Sequence, residues 1–195
     1  MKRFSEWKKV GKAQRGFTLI EIAIVIGIGT VLLYVVMKVI PDLLADNKSN
    51  GELQELPSII ANIQKNYSNA PTYAGATLDA VIRLNALPAE RVTIPGAGAA
   101  TATNRWGGTI TMSVANLSAT NDIVRLVYTN IGERACKSVI QGVAGLTRRI
   151  YVDSANGGAA GGGTIVKADG AALDIAALGT ACGTGANSIT YDLGK

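Results

Sequence analysis

The 195-residue chain contains no histidine. That removes the Ser-His and Cys-His pairs that activate most hydroxyl and thiol nucleophiles. Two cysteines are present, and without histidine they cannot complete a typical zinc shell. Asp153, Asp169 and Asp174 stand singly, as turn or surface residues do, and offer no carboxylate pair. The glycines beside Asp169 and Asp174 suggest a calcium loop, but the spacing fits none. The Gly157–Gly163 cluster is followed by no Lys-Ser/Thr and helix start, so it is no phosphate cradle. It reads as an exposed loop suited to subunit contacts or antigenic variation. The expectation is a protein that is not an enzyme and that needs no cofactor and no metal.

Basic charge is also scarce where a binding face would need it. The chain has 19 Lys+Arg against 14 Asp+Glu. Residues 1–16 hold six of the bases (Lys2, Arg3, Lys8, Lys9, Lys12, Arg15) and one acid, Glu6, which leaves 13 of each sign behind them. The net charge of +5 therefore belongs to a leader. Nucleic-acid binding needs a basic face on the folded domain, so no nucleic acid is expected as partner. Arg148-Arg149 reads as a solvated pair.

Behind the leader, an apolar run extends from Phe17 to Ile40. About 24 residues make a helix of roughly 36 Å, enough to span a bilayer. Flanking bases keep the leader cytoplasmic and send the remainder across. A secretory signal would be shorter and end in an A-x-A-like site; Met37-Lys38-Val39-Ile40-Pro41 stands there instead. The small residue at the polar–apolar junction is Gly16, ahead of the run. Cleavage there would discard the charges and keep the helix. Glu21 lies inside the run, where a carboxylate costs roughly 2.5–3.5 kcal/mol on insertion scales. A plain anchor would carry Leu or Ile at that position. The carboxylate implies a cationic partner in the membrane or in an assembly.

Gly16-Phe17-Thr18-Leu19-Ile20-Glu21 and the apolar helix behind it resemble the type IV pilin family, which includes the pseudopilins of type II secretion. The resemblance implies a prepilin: a membrane aspartyl peptidase cuts after Gly16 and methylates the new amine of Phe17. It also implies that Glu21 pairs with the N-terminal amine of a neighbouring subunit during assembly. Gly27, Gly29 and Thr30 would let helices approach closely, or let the helix melt in a filament.

Beyond Pro41, Leu53, Leu56, Ile60, Ile63 and Tyr67 keep helical spacing, with Glu52, Glu55, Asn62 and Lys65 assigned to the opposite face. One long helix is expected from about Thr18 to Asn69, disturbed at Pro41, near Asn50-Gly51 and at Pro57; separate helices are the alternative. Further expectations are a helix over 73–87, a loop through Asn104 and strands at Thr109–Val114 and Ile123–Thr129. A helix over 132–146 follows, with Cys136, Val139, Ile140 and Val143 on one stripe. A strand at Arg149–Asp153, a glycine-rich turn at Asn156–Gly163 and a strand at Ile189–Leu193 complete the reading. The fold class is α+β, a long N-terminal helix packed on an antiparallel sheet. Segments are expected at 1–16 (leader), 17–41 (membrane or filament core), 42–70 (amphipathic continuation) and 71–195 (extracytoplasmic head).

Asn104-Arg105-Trp106-Gly107-Gly108, Ala135 to Ile140, Ala181-Cys182 and Asn187 to Tyr191 are similar to type IVb major pilins. Those proteins bridge a helix cysteine to one near the C-terminus, which implies Cys136–Cys182. Both cysteines fall on the oxidising side of the membrane; buried free thiols are the alternative. The implied partners are further copies in a helical filament, the inner membrane before assembly, prepilin peptidase and the assembly machinery. The implied destination is an extracellular pilus. A pseudopilin piston, a minor pilin acting as a binding module and a plain anchored domain are the competing readings.

Overall fold

A computed structural model describes residues 16–153 and 163–195, with the side chains of residues 41 and 42 undescribed. The leader ahead of Gly16 and nearly all of the expected glycine-rich turn fall outside these residues. Two bodies are distinguished, residues 1–42 and residues 43–195.

Helix α1 runs from Leu19 to Asn66 without interruption. Thr18 caps it: the Thr18 hydroxyl and carbonyl both accept from the Glu21 N–H, at 3.3 and 3.1 Å, satisfying a donor that the first turn leaves without a helical partner. Helical hydrogen bonding continues past Pro41, Gly51 and Pro57, so none of the expected disturbances ends the helix. Between Leu19 and Ile40 its side chains are almost all exposed, and this portion is long and apolar enough to cross a membrane.

In the second body the same helix buries Leu56, Ile59, Ile60 and Ile63. Glu52, assigned from sequence to the outer face, is completely buried. The correction follows from the period: 52 lies one turn before 56 and two turns before 60, on the apolar stripe. Glu55, Asn62 and Lys65 remain at least partly exposed.

The apolar stripe packs on a seven-stranded antiparallel sheet with order β1-β2-β3-β4-β7-β5-β6. The strands are β1 (Val92–Thr93), β2 (Thr101–Thr103), β3 (Thr109–Ala115), β4 (Ile123–Ile131), β5 (Arg149–Asp153), β6 (Thr164–Lys167) and β7 (Asn187–Gly194). Alternation in the centre sends Val124, Leu126 and Tyr128 of β4 and Ile189, Tyr191 and Leu193 of β7 into the core with α1. Helix α3 (Glu133–Val143) adds Cys136, Val139, Ile140 and Val143, the expected stripe, and ends in a 3-10 turn at Ala144–Leu146.

The expected second helix shrinks to α2, Leu78–Arg83, because Thr77 caps its start and Asn85 turns the chain at φ 55°. The expected loop contains β1 and β2, whose two- and three-residue strands are too short to show alternation. Strand β6 and helix α4 (Ile175–Ala181) are elements beyond those expected from sequence. Asp174, assigned to a turn, is the N-cap of α4, accepting from the Ala177 N–H at 2.9 Å.

The β3–β4 loop is held by one carboxylate. Asp122 accepts from the N–H groups of Leu117, Ser118 and Ala119 at 2.7, 2.8 and 3.0 Å. Desolvation pushes the acid up, but the three N–H donors outweigh it and bring it from 3.8 to about 2. A carboxylate depressed by folding stabilises the native state above its unfolded pKa and loses that contribution as pH falls through its folded value. Asp122→Asn should therefore lower stability at pH 6, with the two unfolding curves converging between pH 4 and pH 2. A urea-denaturation series over that range measures the convergence; a constant offset down to pH 2 would contradict it.

Candidate functional site

In the first body the candidate residues are consecutive. Gly16 is exposed, Phe17 is 77% exposed and lies just before the capping Thr18, and Glu21 falls in the first turn of α1. The carboxylate is well placed against the positive end of the helix dipole, and its side chain meets no partner among the described residues. The side chains that follow, from Leu19 through Val31 to Ile40, are also exposed. A contiguous apolar surface of this size requires lipid or other protein to cover it. Gly27 and Gly29 have open space where a Cβ would stand, and the Thr30 hydroxyl donates to the Gly27 carbonyl at 2.8 Å. Helix persists through this stretch in the single chain.

In the second body Cys136 of α3 and Cys182, the C-cap of α4, form a disulfide across 46 positions of sequence. Asn187 organises the chain immediately after Cys182. This fully buried residue donates from Nδ2 to the carbonyls of Ile131, Gly183 and Gly185, at 3.0, 3.0 and 3.1 Å, and accepts from the Gly183 N–H at 2.9 Å. One side chain thereby joins the Cys182 turn to the end of β4.

The segment Asn104–Gly108 is the turn between β2 and β3. Asn104 Oδ1 accepts from the N–H groups of Trp106 and Gly108, and Nδ2 donates to the Thr129 carbonyl. Gly107 takes φ 78°, the left-handed region. A Cβ on Gly108 would overlap the Thr129 carbonyl, so both glycines are required by the turn.

Two ion clusters were not singled out from sequence. Arg91, in the 3-10 turn before β1, bonds the buried Glu52 and lies 3.0 Å from Glu55, which also bonds Arg105 of the β2–β3 turn. On the other face of the sheet, Arg125 of β4 and Arg149 of β5 converge on the buried Asp192 of β7, at 2.8 and 2.9 Å. The three residues are cross-strand neighbours, and both guanidiniums lie over the Tyr151 ring at 5.7 and 5.6 Å. Arg149 is thus partnered within the sheet, whereas Arg148 reaches outward to Asp169 at 2.7 and 2.8 Å. The Arg148-Arg149 dipeptide is not a free solvated pair. No metal-holding cluster of acids and cysteines occurs among the described residues.

Residues 46–192 match the protein family described as PilS N terminal. The chain belongs to the PilS N-terminal family. Residues 11–36 match the prokaryotic N-terminal methylation motif, which spans Gly16, Phe17 and Glu21. No curated protein sequence is significantly similar to this pilin. Among solved structures, it resembles the type IVb pilin from Salmonella typhi, at 20% identity and TM-score 0.54, over 75% of this chain and 99% of that one. It is also similar to TcpA, a type IV pilin from Vibrio cholerae El Tor biotype, at 16% identity and TM-score 0.53, over 75% of this chain and 98% of that one. The long helix on an antiparallel sheet is therefore the type IV pilin fold.

The disulfide closes the α3–β5–β6–α4 excursion of this pilin. In the chain-entropy view a closed loop of this length contributes about 4 kcal/mol. Cys182→Ser should lower unfolding free energy by roughly 2–5 kcal/mol in denaturant titrations, and dithiothreitol should reproduce the loss in the parent protein. Equal stability of the parent with and without dithiothreitol would refute this.

Proposed function

We propose that this pilin is the structural subunit of a type IV pilus. It enters the inner membrane as a prepilin with residues 1–16 cytoplasmic and residues 17–41 in the bilayer. Prepilin peptidase cuts after Gly16 and methylates Phe17, and the assembly machinery polymerises the product helically into an extracellular filament. Residues 17–41 then occupy the filament core, residues 42–70 continue the helix into the head, and residues 71–195 complete it. The filament serves adhesion, aggregation or conjugation.

One observation carries this reading: the methylation motif sits on an exposed apolar segment, residues 17–40, whose only acid, Glu21, meets no partner among the described residues. Lipid covers the apolar surface of such a helix as well as protein does, so apolar burial alone does not drive it from membrane to filament. The carboxylate breaks that balance. In lipid it is a cost, and beside the methylated amine of a neighbouring Phe17 it is half of an ion pair at low dielectric. Head-to-tail contacts that do not close a ring propagate into a helical filament.

Two measurements test the proposal. The intact mass of subunits sheared from the cell surface should correspond to a chain beginning at N-methylated Phe17; a chain beginning at Met1 would overturn it. Glu21→Ala should be processed and oxidised normally yet give at least tenfold fewer filaments by electron microscopy. Filaments at parental abundance would remove Glu21 from the assembly step.

A further inference from the structure

Within the head, the apolar stripe of α1 repeats along its own axis. Leu56 and Ile60, and likewise Ile59 and Ile63, stand four residues apart, so a four-residue slide, about one turn, exchanges one aliphatic side chain for another at those places. Cores accept such exchanges when volume and pattern are kept. Apolar packing therefore discriminates weakly between neighbouring registers.

Three contacts along the stripe do not repeat. Glu52 holds Arg91 in the interior beside Glu55, and four residues from Glu52 in either direction stand Lys48 and Leu56. A four-residue slip would set a cation or an alkyl group in the place of Glu52. Gly51 is the seat of Arg105: a Cβ there would lie 2.7 Å from the guanidinium carbon, and the residues one turn away are Asn47 and Glu55. Leu53 fits against Gly142 of α3, where any Cβ would overlap it, and its one-turn counterparts are Ser49 and Pro57.

Among the described residues Glu52 Oε1 and Arg91 Nε are buried without a direct hydrogen bond, while the Tyr128 hydroxyl faces Glu52 and Glu55 lies 3.0 Å from Arg91. A buried pair in this condition is commonly no better than apolar residues of similar volume. Its geometric information is what apolar residues cannot supply.

We propose that the Glu52–Arg91 pair, with Gly51 as the seat of Arg105, is a register key that admits one axial position of α1 on the head sheet. The key is independent of filament assembly and acts within a single chain.

The test replaces both charges at once, Glu52→Leu with Arg91→Met, in the full-length protein in detergent. Spin labels on cysteines introduced at the exposed positions Lys65 and Thr103 report the axial position, since the native cysteines are bonded to each other. The parent should give one narrow distance by pulsed electron resonance. The charge-free variant should give a second population displaced by about one helical turn, comprising at least a tenth of the molecules. An unchanged single distance would overturn the proposal. So would loss of hydrogen-exchange protection across β4 and β7, which would make the pair a requirement of the fold itself.

Discussion

The structure depends on one helix serving two environments. Leu19–Asn66 is continuous, yet its first half exposes every apolar side chain and its second half buries a single stripe. The sequence makes the switch by changing composition, not by breaking the backbone. Up to Ile40 the helix is apolar on all sides, as suits a lipid or fibre environment. After Leu44 polar residues return on all but one face, and the stripe through Leu56, Ile60 and Ile63 is covered by β4, β7 and α3. The match to the PilS N-terminal family begins at residue 46, close to where that change occurs.

Among the described residues of the head, charge is buried at two places, and both join segments distant in sequence. Glu52 ties α1 to the connection ahead of β1, and Asp192 ties β7 to both of its neighbours. Each carboxylate meets guanidinium groups, which offer several donors in a fixed plane. The Asp192 cluster lies across three adjacent strands at one register level, so any one-residue slip of β7 would send the acid to the core face. With the disulfide and the Asn187 hub, these contacts add to the apolar packing of Ile189, Tyr191 and Leu193 in fixing the C-terminal region.

What could be read from sequence follows from the length of each signal. The apolar run and the four-residue stripe of α3 are long or unusual, and the structure places them as expected; the α1 stripe is also found, with Glu52 added to it. Strands β3, β4, β5 and β7 carried enough β-branched residues to be found. Strands β1 and β2 have two and three residues and helix α4 has seven, too few to repeat a pattern more than once, and β6 follows the glycines without a signal of its own. Glu52 lies on the stripe by its spacing from Leu56, against the general tendency of a carboxylate to face water. Arg91, Arg105 and Arg125 carry no local signal: their partners lie 39, 50 and 67 positions away.

Two glutamates on α1 show how the same side chain is handled within one molecule and between molecules. Glu52 is costly where it stands, and folding supplies Arg91. Glu21 is costly too, but the nearest cation within the apolar helix is Lys38, 17 residues along. At 1.5 Å per residue that is roughly 26 Å, several times the reach of an ion pair. The helix cannot satisfy its own carboxylate. Its partner has to come from ahead of the helix or from another molecule. Under the proposed function, removal of the leader would take away the bases of residues 1–16 and leave an amine at Phe17. Processing would then exchange cations that are lost for one that every subunit would carry into the fibre. In the proposed function, a folded head satisfies Glu52 once and permanently, whereas Glu21 is satisfied only while subunits remain together.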